Sequence, residues 1–161
     1  MAQNVELKLA KLNDATRIAL MSREFIERGL PWSWNTTRIA KHIRCPDSVV
    51  VAALAGRRLI GFAIMHFFDE SAHLNLLAVD PRYRHLGVGR GLMEWLEKSA
   101  RVAGTFVVSL EVRASNPGAR TFYRRLGYTE IVYIPRYYCG REPAIRMSRD
   151  LRCRYPVLDA K

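Results

Sequence analysis

Residues 84–90 read Arg-His-Leu-Gly-Val-Gly-Arg, a set of types and spacings suited to binding phosphate. Gly87 and Gly89 free the backbone to turn so that its N–H groups can close on an anion. A helical pattern begins at Val88, so the unpaired N–H groups of a first helical turn point at the same place. Arg84 and Arg90 add positive charge. The spacing is not Gly-x-x-x-x-Gly-Lys-Ser/Thr, so a nucleotide P-loop is not indicated. Nor is it Gly-x-Gly-x-x-Gly followed by an acidic residue about 20 positions on, so a dinucleotide fold is not favoured. Taken alone, a glycine-bearing turn ahead of a surface helix is the competing explanation.

The elements that must hold this turn follow from periodicity. Residues 73–79 are apolar and end at Asp80-Pro81, which predicts a central strand covered on both faces. Simple alternation puts Leu74, Leu76 and Ala78 on one face and His73, Asn75, Leu77 and Val79 on the other. His73 is then a partly exposed residue near a strand end rather than a base. From Val88 the spacing of Leu92, Met93, Leu96, Ala100 and Ala103 predicts a helix that Gly104 stops. Thr105–Val112 alternates as a strand, so the strand–helix–strand unit should be parallel. Asn116 and Pro117 suit the N-cap and first position of a short helix carrying Ala119, Phe122, Tyr123 and Leu126, closed by Gly127.

Earlier in the chain, residues 5–12 alternate as a first strand. Asn13 is placed to cap a helix over Ala15–Arg28, which Gly29 ends. Pro31-Trp32-Ser33-Trp34 is an aromatic connection whose tryptophans either pack or line a cleft. Asn35 or Thr36 can cap a second helix through His42. Ser48–Leu54 and Leu59–Phe68 form a hairpin around Gly56-Arg57, and two last strands fit Tyr128–Pro135 and Ala144–Leu151.

Length and composition fit one domain over residues 1–152 with a basic tail at 153–161; 25% of the 161 residues are charged and 49% hydrophobic. No apolar run reaches bilayer length and the N-terminus lacks a signal-like pattern, so a cytoplasmic protein with no membrane partner is expected. Cys45, Cys139 and Cys153 have no metal-ligand spacing and should be reduced thiols. The net charge of +11 should draw anions: cofactor phosphates, RNA or an acidic substrate, or else it is a solvated basic surface.

Arg84-His85-Leu86-Gly87-Val88-Gly89 resembles the coenzyme A pyrophosphate loop of the GNAT acetyltransferase superfamily. Leu110-Glu111-Val112-Arg113-Ala114-Ser115-Asn116, followed by Phe122-Tyr123-x-x-Leu126-Gly127-Tyr128, is similar to the second half of that superfamily's signature. Within it, Leu-Glu-Val-Arg-Ala-Ser-Asn and Pro31-Trp32-Ser33 resemble the bacterial ribosomal-protein alanine N-acetyltransferases. Tyr137-Tyr138-x-Gly140-x-Glu142-x-Ala144-x-x-Met147 looks like the closing hairpin they share with eukaryotic N-terminal acetyltransferases. Pro143 departs from the group, which commonly has Asp there, and puts acceptor identity in question more than the chemistry. The resemblance covers roughly residues 5–151.

The resemblance implies an α/β fold with a mixed, mostly antiparallel sheet, a parallel strand pair splayed for acetyl-CoA, and helices on both faces. It implies that Leu77, Ala78 and Val79 pair through their backbone with the pantetheine arm and present an N–H to the thioester carbonyl. Residues 84–90 would hold the pyrophosphate, and Asn116 and Tyr123 would also touch the cofactor. Trp32, Tyr137 and Tyr138 would line the acceptor cleft. The reaction implied is transfer of acetyl from acetyl-CoA to a primary amine, with no metal.

Glu111 is the candidate base, acting directly or through water. Its apolar strand should raise its pKa, although an ion pair with Arg113 is the structural alternative. Tyr123 is the candidate acid for the leaving thiolate. An α-amine, with a pKa near 8 against about 10.4 for lysine, needs less base assistance. That favours a protein N-terminus; the resemblance implies a ribosomal protein as leading acceptor, and the basic charge is compatible with ribosome association. A small-molecule amine, a lysine side chain, and a non-catalytic acetyl-CoA- or RNA-binding module remain alternatives. A monomer or weak homodimer is expected.

Overall fold

The computed structural model describes residues 4–153. The basic tail expected beyond Arg152 therefore lies, from residue 154 on, outside the described residues. Among the described residues seven strands form one sheet in the order β1-β2-β3-β4-β5-β7-β6. They are β1 (Val5–Leu9), β2 (Ser48–Ala55), β3 (Arg58–Phe67), β4 (Ser71–Val79), β5 (Val107–Arg113), β6 (Thr129–Tyr138) and β7 (Glu142–Asp150). Every neighbouring pair is antiparallel except β4–β5, as the strand–helix–strand pattern required.

Four helices cover the sheet: α1 (Ala15–Phe25), α2 (Thr36–Arg44), α3 (Val88–Val102) and α4 (Pro117–Arg125). Two cores result. On one face, Val88, Leu92, Met93 and Leu96 of α3 and Tyr123 of α4 pack on Val51, Ala63, Leu74, Val108 and Leu110. On the other, Ile18 and Ala19 of α1 and Ile39 of α2 pack on Val50, Phe62, Ile64, Leu76 and Ala78.

The faces of β4 differ from simple alternation. Ile64 pairs with Leu76 and Met65 with Leu74, so Asn75 is an extra residue with no partner on β3. A bulge of this kind shifts the facing of a strand by one residue. Leu74 accordingly joins the α3 face, while Leu76 and Ala78 point to the α1–α2 face. Several boundaries also move. β1 stops at Leu9, and a single 3-10 turn over Leu12–Asp14 precedes α1. Asn13 lies inside that turn, and the buried Asp14 ties it down instead, accepting from the Lys11 N–H at 2.8 Å and from Arg17 at 2.6 Å. α1 ends at Phe25 rather than Arg28, and Gly29, at φ +78°, turns the chain that follows. Ala103 falls just past α3 and is exposed. The last two strands extend further toward each other than expected, leaving Cys139-Gly140-Arg141 as the turn.

Candidate active site

β4 and β5 pair only over Ser71–His73 and Val107–Ser109. Beyond this short ladder the strands part, and Leu77, Ala78 and Val79 have no strand partner on the β5 side. Their far side is paired to Ala63, Phe62 and Gly61 of β3. A chain that holds strand geometry on one edge and offers free N–H and C=O groups on the other can accept an extended ligand as an added strand.

The opening leads to the glycine turn. Asp80 ends β4; its carboxylate accepts from the Arg82 N–H at 3.0 Å and from the Arg82 guanidinium at 2.7 Å. His85 follows with φ +62°, and Gly87 with φ +82° forms the N-cap of α3. His85, Leu86 and Gly87 are exposed. The first backbone bond of the helix runs from the Gly91 N–H to the Gly87 carbonyl at 2.9 Å, so the N–H groups of Val88, Gly89 and Arg90 are the free first-turn donors. Gly89 is needed for closeness: a Cβ there would lie 3.1 Å from Cζ of Phe122 on α4. This geometry fits a pyrophosphate. The flanking arginines are partly engaged elsewhere, since Arg84 Nε donates to the Val79 carbonyl at 3.3 Å and Arg90 pairs with Glu94 at 3.0 Å. Asn116 caps α4 as expected, accepting from the Ala119 N–H at 3.1 Å.

Glu111 sits at the parting of β4 and β5, on the face opposite Tyr123, with its side chain only 8% exposed. Arg113 is not its partner. Glu111 Oε2 lies 2.5 Å from His73 Nε2, and Glu111 Oε1 accepts from Arg146 Nε of β7 at 3.0 Å. Burial alone would push the carboxyl up, but the His73 and Arg146 bonds outweigh it and hold the carboxyl below its ordinary range. This reverses the shift expected from an apolar strand. The same contact with Glu111 raises the His73 imidazole above its usual value, against the pull of burial. His73 is thus a member of the cluster, which reasoning from its strand-end position missed.

Arg113 instead clasps two loops together. Its Nη1 donates to Glu142 of the β6–β7 hairpin at 3.1 Å. Its Nη2 donates to the Ile26 and Arg28 carbonyls after α1, at 2.9 and 3.0 Å. Its guanidinium also lies 5.7 Å from the ring of Tyr138, which stacks edge-on with Tyr137 at 4.9 Å. Burial pushes both phenols up, and each also feels the Glu111 charge. The α1–α2 loop is anchored by a second residue the sequence did not single out. The buried Glu27 accepts from the Ser33 N–H at 2.7 Å, from the Ser33 hydroxyl at 2.6 Å and from the Trp34 N–H at 3.1 Å. Trp34 is core, whereas Trp32 is 39% exposed and donates its Nε1–H to the Trp34 carbonyl at 3.1 Å.

Tyr123 lies across the sheet from Glu111. It is buried against Phe122 and Tyr128, with ring centroids 5.0 and 5.8 Å away. Burial, with a smaller contribution from Tyr138, raises its phenol well above the ordinary range, so it stays protonated. Among the described residues no group of three His, Cys, Asp or Glu side chains is placed to hold a metal, and no helix is long and apolar enough to cross a membrane.

A strand pair that parts after a short ladder, a glycine turn capping the following helix, and a Glu111–His73–Arg146 cluster beside the gap define an acyltransferase scaffold. The family model described as "Acetyltransferase (GNAT) family" matches residues 18–128, and the chain belongs to that family. The [Ribosomal protein bS18]-alanine N-acetyltransferase of Escherichia coli K12 is 39% identical over 94 residues, 56% of this chain and 64% of that relative's length. The crystal structure of the Escherichia coli enzyme superposes with a TM-score of 0.80 at 27% identity, over 98% of this chain and 100% of that one. The N-terminal acetyltransferase B complex catalytic subunit NAA20 of Arabidopsis thaliana is 30% identical over 144 residues, covering 86% of this chain and 81% of the relative. The Thermoplasma acidophilum PaiA N-acetyltransferase, solved with coenzyme A, shares the fold at a TM-score of 0.78 and 19% identity, over 91% of this chain and 99% of that one. The chain is an acetyl-CoA N-acetyltransferase of the GNAT type.

Proposed function

We propose that this enzyme acetylates the N-terminal α-amine of a protein, with an Ala-starting ribosomal protein as the leading acceptor. The observation that carries this is the Arg113 clasp, which ties the hairpin bearing Tyr137 and Tyr138 to the loop bearing Trp32. Two joined loops beside a single Glu111–His73 pair suit a thin chain end entering tip first. NAA20, named as an N-terminal acetyltransferase subunit, and the bS18-alanine enzyme, named for acetylating an alanine of a ribosomal protein, support the same acceptor class. The net charge of +11 disfavours polycationic small amines and suits an acceptor displayed beside RNA.

When bound, acetyl-CoA supplies the acetyl thioester. The free N–H groups of Val88, Gly89 and Arg90, with Arg84 and the turn at His85–Gly87, hold the pyrophosphate. The open edge of Leu77–Val79 orients the pantetheine arm and directs an N–H at the thioester carbonyl. Asn116 keeps its side-chain NH₂ for the cofactor while its oxygen caps α4. Base assistance would centre on Glu111 and the His73 bonded to it, and Tyr123, held protonated by burial, would be the proton donor for the leaving thiolate.

The test is coenzyme A release with acetyl-CoA and three acceptors: an Ala-starting peptide, the same peptide with a blocked N-terminus and a free lysine, and a polyamine. Turnover confined to the free α-amine is expected. Turnover with lysine or polyamine instead would overturn the acceptor assignment.

A further inference from the structure

We infer that the proton removed from the acceptor amine comes to rest on His73, with Glu111 as the carboxylate that orients the ring and balances its charge. This rests on the amine-acetylation chemistry proposed above and names the atom within it.

Glu111 is poorly suited to keep a proton. Both its oxygens already accept hydrogen bonds from cationic or cation-forming partners, and its carboxyl is held low. An ionised carboxylate only accepts, so the 2.5 Å contact requires the proton to sit on His73 Nε2. That fixes the tautomer and leaves the Nδ1 lone pair as the open basic site, the logic by which a buried carboxylate arms an imidazole in acyl-transfer enzymes. Nδ1 lies 3.4 Å from Asn75 Oδ1, an acceptor that favours a ring carrying both protons. Asn75 is the bulge residue of β4, so the irregularity in its pairing with β3 also supplies this contact. The His73 side chain is 30% exposed against 8% for Glu111, so the imidazole is the more approachable of the two.

The groups around His73 agree. Opposite it on β3 stands His66, and on β5 Ser109. Arg146 of β7 opposes protonation, Glu111 and Asn75 favour it, and the net result is an imidazole that holds its proton better than a free one. Tyr137 of β6 stays neutral. On α1, Arg17 turns to Asp14, Arg23 to Trp32, and Glu24 is exposed. In the step itself the N–H bond of the acceptor ammonium breaks, its electron pair stays on nitrogen as the nucleophile, and the proton bonds to Nδ1, directly or through one water. The positive charge moves from ammonium to imidazolium, beside the Glu111 carboxylate. An imidazole raised above its ordinary value by Glu111 is better matched to an α-amine than a carboxylate held below its own by His73 and Arg146.

The test has two arms. NMR titration of the His73 Cε1–H follows its pKa in the wild-type protein and in Glu111→Gln, with no need of an acceptor. A value above 6.5 that drops in Glu111→Gln is expected; a value at or below 6.5, or one unmoved by the substitution, would overturn the inference. In the second arm, His73→Gln is assayed across pH with the peptide the wild type turns over. We expect kcat to fall roughly 100-fold or more, the KM for acetyl-CoA to hold, and the acid limb of the pH–rate profile to move up to the pKa of the acceptor amine, near 8. A His73→Gln enzyme with wild-type kcat and an unmoved acid limb would show that Glu111 works alone. Failure of the acceptor assignment would appear separately, as a wild-type enzyme inactive on every α-amine, and the titration would still decide the role of His73.

Discussion

Glu111→Gln preserves the shape of the strand while removing the charge at its centre, and its effect can be sized from the cluster. Glutamine still presents an oxygen to Arg146 or His73, so the β5–β7 pairing opposite Arg146 should persist and acetyl-CoA should bind normally. What is lost is the anion that orients His73 and balances its charge as the ring takes the proton from the amine. Positioned base assistance contributes about 10²–10⁴-fold, so kcat at pH 7 should fall by at least ~100-fold. The deficit should shrink as pH rises. An α-amine with a pKa near 8 is about one-tenth neutral at pH 7 and about nine-tenths neutral at pH 9, so roughly tenfold of the loss is recoverable. Initial rates of coenzyme A release at the two pH values, with saturating acetyl-CoA, measure this. A variant within threefold of wild type at pH 7, or one whose deficit lies wholly in KM, would show that Glu111 takes no part in deprotonating the amine.

Gly89→Val should push α3 off Phe122, given the 3.1 Å approach of even a Cβ, and weaken acetyl-CoA by about tenfold or more in calorimetry. Arg149→Leu should strip a buried partner from Glu97, whose other bond comes from the Tyr128 hydroxyl. Breaking a buried pair destabilises by about 3–5 kcal/mol, or roughly 6–20 °C in Tm. Burial already raises the Glu97 carboxyl, and losing Arg149 raises it further. A raised carboxyl favours the folded state in acid and loses that contribution as pH climbs, so the penalty should be larger at pH 8 than at pH 5 in urea melts. Asn35→Ala removes the cap that accepts from the Arg38 N–H at 3.0 Å, and should lower stability by about 1 kcal/mol without changing kcat.

What could be read from the sequence was local. Gly87 announced a left-handed turn, and Asn116-Pro117 announced a capped helix, because each rests on one residue's own backbone preference. The parallel β4–β5 pair followed from a strand–helix–strand run. What escaped depended on partners distant in sequence. The facing of Leu74 was misassigned because the bulge at Asn75 is set by pairing with β3, not by residues 73–79 themselves. The sign of the Glu111 shift was reversed because His73 and Arg146 stand 38 and 35 residues away and meet it only through strand register. Arg113, two residues from Glu111 on the same face, looked like its natural partner. It reaches the loop after α1 instead, 85 to 87 residues away. Trp34 and Trp32 carry the same side chain two positions apart, and the buried one is set apart by the Glu27 anchor on its backbone and by its packing against His42 and Arg38.

The central claim, that this enzyme acts on a protein's N-terminal amine, is tested most directly by locating the acetyl group. One peptide bearing both a free N-terminal alanine and an internal lysine is incubated with enzyme and acetyl-CoA, and the product is sequenced by tandem mass spectrometry. The account predicts acetyl on the α-nitrogen of the first residue alone. Acetyl on the lysine, or a peptide left unmodified while a small amine is acetylated, would contradict it.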